Sequence, residues 1–208
     1  MNQAMLEGLL YQNESETLDF KVAQYPFDKA SDELKSELLK DILAFANAWR
    51  QSDAHILIGV EEVKGGRSIV RGTATPLLNR NLQQSVHSKT NRPVSFAYST
   101  EKLDGKAIGV ITVPLQDRPL FLKKDFGNLK ANVVYIRRGD TTAESDPDEV
   151  FRMGTAAVPL AGQPVLELEL VEPTARDRLG TEVQLESISV ELPPKEQIPV
   201  YGSHSAGT

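Results

Sequence analysis

The chain has 208 residues, 40% of them hydrophobic, and a formal net charge of −6. That is enough for one well-packed domain, with or without an appendage, and the absence of cysteine excludes disulfides and thiolate metal sites, leaving oxygen or imidazole for any metal. No stretch approaches the ~20 apolar residues of a bilayer crossing, and the opening MNQAMLEGLLYQNESE has neither a basic leader nor a long apolar run, so a cytoplasmic location without a membrane partner is expected.

Thr17 to Val22 alternates Leu18, Phe20 and Val22 with Thr17, Asp19 and Lys21, the period of a strand with one buried face. Asp19 and Lys21 share its other face, read by default as solvent. Ser31, followed by Asp32 and Glu33, is a capping hydroxyl with first-turn acids suited to the helix dipole. Leu34, Leu38, Ile42, Phe45, Ala46 and Trp49 then recur at helical spacing, predicting an amphipathic helix to about Arg50. Ile56 to Val60 is apolar on both faces, as in a central strand covered on both sides, and runs into Glu61 and Glu62.

Gly65 and Gly66 turn the chain toward a strand near Ser68 to Arg71. Thr75 and Pro76 open a second helix whose buried stripe is Leu78, Leu82 and Val86. Strands at about 94–99 and 106–113 flank Asp104-Gly105, a hairpin signal, and Asn132 to Arg137 reads as a further strand closing near Gly139. Asp146-Pro147-Asp148-Glu149 starts a short helix, with Glu149 completing a capping box and Gly154 stopping it. The fold class expected is therefore α/β (α+β): a mixed sheet with about two long helices and one short one.

Composition divides the chain into residues 1–155 and an acidic, proline-containing tail, 156–208. The first part carries 20 Lys+Arg against 21 Asp+Glu, a net of −1, and the tail 3 against 8, a net of −5. Strands are expected at 166–171 and 183–192, in a tail that is β-rich or extended and offers a surface for a protein partner. Net acidity argues against nucleic acid as a partner, because phosphate contacts need Lys and Arg. Its distribution weakens that objection: Arg118, Lys123, Lys124, Lys130, Arg137 and Arg138 form a basic stripe over 118–138 with Asp125 as its single acid.

Three stretches together resemble a known family. ESETLDFK (14–21), LKDILAFANAWRQSDAHILIGVEE (39–62) and RPLFLKKDFGNLKANVVYIRRGDTT (118–142) occur in the order and spacing of the AlbA_2 domain of Schlafen-like proteins, over roughly residues 7–153. The resemblance implies an α/β domain that binds RNA or DNA and, as in some Schlafen members, a metal-dependent RNase with three acidic residues. These fall on Glu14, Asp19 and Glu62 as ligands of Mg or Mn, where the third position is commonly Asp, and Lys21 matches the motif lysine. The family's usual Gly-Gly before the apolar strand is replaced by the more polar link Trp49 to Asp53.

Residues five apart on a regular strand point to opposite faces, so Glu14 and Asp19 converge only if Glu14 lies in the loop before the strand. Asn13 and Ser15 favour such a loop. Glu62 would come from the end of the neighbouring central strand, where open α/β sheets hold ligands. In the basic stripe, the adjacent Arg137 and Arg138 face opposite ways, and Lys123, Lys124 and Lys130 are the better phosphate contacts. No phosphate-binding Gly-x-x-x-x-Gly-Lys loop is present, and His55, His87 and His204 are too scattered for a zinc site.

Three functions stay open at this point. One is a Mg- or Mn-dependent endoribonuclease acting on structured RNA such as tRNA. The second is a non-catalytic module that binds nucleic acid and regulates. The third is an assembly domain whose acids are merely surface.

Overall fold

The computed structural model describes residues 2–156 apart from 74–76 and 78. The expected cap at Thr75-Pro76, Leu78, the tail strands and the tail's partner surface lie outside the described residues. The elements in order are α1 (Gln3–Leu9), β1 (Leu18–Lys21), α2 (Asp32–Asn47), β2 (Ala54–Ile58), β3 (Val60–Glu61) and β4 (Ile69–Val70). They continue as α3 (Asn79–Lys89), β5 (Ala97–Leu103), β6 (Lys106–Val113), β7 (Tyr135–Arg138), β8 (Thr141–Glu144) and α4 (Pro147–Thr155).

The main sheet has the order β1-β2-β6-β5, with β1 parallel to β2 and the other pairs antiparallel. Its interior strand β2 is buried at all five residues, as its unbroken apolar run requires. Ile56 and Ile58 enter the core beneath α2 and α3 with Leu38, Ile42, Phe45, Leu82 and Ile111. Leu57 enters the opposite core with Leu6, Leu9 and Leu10 around α1, and with Val60 and Val110. Fully burying one such Leu, Ile or Phe contributes roughly 1.5–3 kcal/mol, so these two layers dominate the stability. A smaller cluster of Val134, Ile136 and Met153 seats α4 on the β7-β8 hairpin.

This layering decides what the polar face of β1 meets. Leu18 and Phe20 point into the α1 layer, so Asp19, opposite Ile56 in register, points to the α2 side. Asp19 is 2% exposed, which corrects the expectation of a solvent face: at this edge the face is roofed by α2 and flanked by β7. Val22 falls one residue past the ladder and is 55% exposed rather than buried.

Ser31 caps α2, its hydroxyl accepting from the Leu34 N–H. The helix ends at Asn47, three residues short of expectation, because Ala48 leaves the helical backbone and Asn47 turns its side chain onto neighbouring strands. The polar link that follows replaces a glycine turn with side-chain anchors. Arg50 donates to the carbonyls of Phe45 at 3.0 Å and Pro114 at 2.8 Å, and Arg118 donates to that of Ala48 at 2.6 Å, satisfying carbonyls at the helix end. Trp49 stacks under the Arg118 guanidinium at 3.9 Å and donates its indole N–H to Glu149.

Gly59, at φ +90°, breaks the apolar run into β2 and β3. A Cβ there would sit 2.7 Å from the Gly72 carbonyl carbon, and its own carbonyl accepts the N–H groups of Arg71 and Gly72. At α4, Asp146 caps as expected, but the Glu149 carboxylate accepts from Trp49 and Arg138 instead of closing a capping box, and the helix runs through Gly154. Helix α1 and strand β8 had no counterpart in the sequence reading.

Candidate functional site

Glu14 lies in the loop before β1, as convergence with Asp19 demands. Its Oε1 accepts the Phe20 N–H at 3.1 Å, and its own N–H donates to Glu62 Oε1 at 2.9 Å. Glu14 thus joins Glu62 to the backbone of β1, and Asp19 is the residue just before Phe20, whose N–H Glu14 accepts. Two cations stand among them. Arg137 on β7, 5% exposed, places Nη2 2.9 Å from Asp19 Oδ1 and 3.6 Å from Glu14 Oε2, and its Nε–H donates to the carbonyls of Ser15 and Gly139. Lys21 Nζ lies 2.8 Å from Asp19 Oδ2 and 3.2 Å from Asp41 Oδ2 on α2. Tyr25 closes the series by donating its hydroxyl to Asp41 Oδ2 at 2.6 Å.

The result is an alternating string, Glu14–Arg137–Asp19–Lys21–Asp41–Tyr25, that joins β1, α2 and β7. Asp41, Tyr25 and Arg137 carried no signal of this role in the sequence reading, although Asp41 stands on the inner face of the predicted helix. Neither Asp19 Oδ2 nor Arg137 Nη2 has a partner in hydrogen-bonding geometry, so both are held by charge at close range. Burial raises the Tyr25 hydroxyl well above its ordinary value, and the Asp41 carboxylate adds to the effect. Burial opposes the Lys21 charge, but Asp41 and Asp19 outweigh it and hold its ammonium above the usual lysine value.

Burial also raises the Glu14 carboxyl, with Asp19 and Glu62 adding repulsion, against the Phe20 N–H and Arg137, which favour the charged form. A carboxyl raised in the folded state supports stability fully below its unfolded value and loses that support as pH rises through the folded value. Glu14→Gln keeps an acceptor for Phe20 and does not titrate. Its unfolding free energy relative to wild type should therefore climb from about pH 4 upward and level off once the pH has passed the raised folded value, as urea melts at several pH values would show.

This donor set does not fit a divalent ion. A metal needs carboxylates converging on one empty centre, and here the guanidinium of Arg137 and the ammonium of Lys21 already neutralise Asp19. Among the described residues no group of three or more His, Asp or Glu side chains is arranged to hold a metal.

The basic stripe separates into two parts. Arg137 is turned inward and Arg138 is paired with Glu149, so neither stands free on the surface as the stripe suggested. Lys123, Lys124 and Lys130 are exposed and have no ion-pair partner among the described residues. Their loop is firmly seated. Leu122 and Leu129 are buried, the Lys123 N–H donates to the Lys89 carbonyl at 2.9 Å, and Asp125 Oδ1 accepts from Ala131. Gly127, at φ +56°, lies where a Cβ would come within 2.3 Å of the Asp32 carbonyl, which fixes the loop against the start of α2. Lys89, at the end of α3, reaches over the Phe126 ring at 4.4 Å and donates to Ser85, and burial lowers its ammonium. Among the described residues no helix is long and apolar enough to cross a membrane.

No curated protein matches the chain. A solved structure, the DIP2311 protein from Corynebacterium diphtheriae, is similar at 18% identity and a TM-score of 0.47 over 72% of this chain; the match spans only 27% of that protein. The N-terminal domain of a RecG-related protein from Nitrosomonas europaea is similar at 24% identity and a TM-score of 0.42, over 70% of this chain and 92% of that one. The family model for Schlafen, AlbA_2 matches residues 14–146, from the first carboxylate of the string to the cap of α4, and the chain belongs to that family.

Proposed function

We propose that this protein binds nucleic acid through the seated basic loop of Lys123, Lys124 and Lys130. The observation that carries the reading is that these three exposed cations, without an ion pair among the described residues, are clustered on one anchored loop. Unpaired cations such as Lys29, Lys64 and Lys102 stand singly, and Lys21, Arg67, Arg71, Arg137 and Arg138 are paired within the domain. Unpaired cations on a fixed backbone are available to phosphate without first breaking an internal pair, and membership of the Schlafen AlbA_2 family supports the same partner. The buried charge string is a structural tie that sets β7, and with it the end of the basic segment, against β1 and α2.

The test is fluorescence polarisation of the full chain with labelled RNA and DNA across a salt series. Wild type is expected to bind with strong salt dependence. Replacing all three lysines by alanine should weaken binding to every sequence alike and reduce the slope of log K against log salt by roughly 2–3. Unchanged affinity in the triple variant would sink the assignment to this loop. A parallel incubation with tRNA in Mg or Mn addresses catalysis. Cleavage that requires Mg or Mn would overturn the misfit of this donor set and extend the reading to a metal-dependent endoribonuclease, and binding without cleavage would leave a non-catalytic module.

A further inference from the structure

Beside the basic loop, the end of α3 and the turn after Leu122 enclose a cleft of about 480 Å³ lined by Ser88, Lys89, Lys123, Lys124, Asp125 and Phe126. That volume lies in the ~300–1,000 Å³ range of small-ligand pockets and is far larger than a phosphate alone requires. Its walls are of two kinds. Phe126 and the aliphatic stems of the lysines supply an apolar surface, and the ammonium groups of Lys123 and Lys124 supply positive charge at the rim. Asp125 offsets part of that charge and leaves the cleft net positive; its Oδ1 accepts the Ala131 N–H at 2.7 Å. The Lys89 ammonium is also fixed, by Ser85 and by the Phe126 ring.

Charge on a convex surface attracts any polyanion, double- or single-stranded, and needs no cleft. A half-buried aromatic ring within a cationic cleft adds binding only for a ligand with a flat apolar group beside its phosphate. A base inside a duplex is stacked and paired and cannot enter such a space, whereas an unpaired base can. We propose that this cleft takes one unpaired nucleotide of a single strand, with its phosphate on Lys123 and Lys124 and its base against the edge of the Phe126 ring and the lysine stems, Lys89 covering a face of that ring. This rests on the nucleic-acid reading above and narrows it to strands with unpaired residues, such as loops, overhangs and single-stranded tracts.

A cavity-filling change at Ser88 tests it without altering charge. Ser88 is exposed on α3, and its hydroxyl bonds only the Ser85 carbonyl one turn earlier, so Ser88→Phe leaves the core and every lysine in place. With the full chain, a ten-nucleotide single strand should bind wild type more tightly than a blunt duplex of equal length, and Ser88→Phe should lose about tenfold on the single strand while duplex binding is unchanged. A second measurement needs no variant: titration of the wild type with the single strand should shift the amide resonances of Ser88, Lys89 and Phe126, and titration with the duplex should leave Ser88 unmoved.

Equal wild-type affinity for single strand and duplex, with Ser88→Phe indistinguishable from wild type, overturns the cleft but leaves the basic loop as a nucleic-acid surface. Failure of wild type to bind either polymer overturns both. Mononucleotides that bind as tightly as the strand would assign the cleft to a free nucleotide and overturn the strand reading.

Discussion

Arg137→Met is expected to destabilise the protein by about 3–5 kcal/mol, the loss typical of removing one partner from a buried ion pair. Arg137 is 5% exposed and faces Asp19, which is 2% exposed, at 2.9 Å. Methionine fills most of the arginine's volume and keeps a contact with Phe45, over which the guanidinium lies at 5.1 Å, so the loss would report charge rather than a cavity. The carboxylate left behind would retain Lys21 at 2.8 Å, which is half-exposed and shared with Asp41, and so is a weaker partner. Equilibrium urea unfolding checks the magnitude.

A second variant separates the pair's net contribution from the cost of breaking it. In Asp19→Leu/Arg137→Met no charge is stranded, and the double variant should be more stable than Arg137→Met alone. If both variants lose the same amount, Arg137 acts through its bonds to the carbonyls of Ser15 and Gly139 rather than through Asp19. Either way, the binding of nucleic acid should survive at temperatures where the variant is folded, since Arg137 is not on the basic surface.

The elements that sequence pattern predicted are those whose burial follows from one local period: β2 from its two-faced apolar run, α2 from its cap and stripe, and the β5-β6 hairpin from Asp104-Gly105. Asp19 shows where that reasoning stops. Alternation correctly put it on the face opposite Leu18 and Phe20, but whether that face meets water depends on α2 and β7, more than 10 and 100 residues away in sequence. The same limit applies to the cations. Nothing local to RRG distinguishes Arg137, drawn inward by Asp19, from Lys123 and Lys124, which meet no acid. Helix α1 was missed because its two buried residues, Leu6 and Leu9, are too few to show a period.

Glu14 lies before the strand, as convergence with Asp19 required, but Glu62 meets its backbone N–H and Arg137 stands between its carboxylate and Asp19, so among the described residues the three carboxylates share no common centre. The family pattern did not show that Arg137, from a different motif of the same pattern, would stand between them. The charge string and the basic loop are in this way connected through one strand: Arg137 fixes β7 from inside, while the segment leading into β7 presents the lysines outside.

Asn47→Ala is expected to cost about 3 kcal/mol, since it strands three buried backbone groups at ~1 kcal/mol or more each. Asn47 is the last residue of α2 and is fully buried. Its Nδ2 donates to the carbonyls of Leu120 at 2.8 Å and Tyr135 at 2.9 Å, and its Oδ1 accepts the Leu120 N–H at 2.8 Å. Alanine offers neither donor nor acceptor, so these buried groups lose their partners. For a chain of this size the loss corresponds to a fall in Tm of roughly 6–12 °C. Asn47→Asp should fare no better, because a carboxylate cannot donate to the two carbonyls and brings a buried charge against them. The position also reaches the function. Leu120 lies three residues before Lys123, so the amide that ends α2 holds the start of the basic loop as well as β7. Hydrogen exchange in Asn47→Ala should accelerate across residues 120–130 before the β2-β6 pairing is affected, and affinity for nucleic acid should fall although no lysine has been touched. Exchange that rises uniformly over the sheet instead would mean that Asn47 supports the whole domain and does not position the loop.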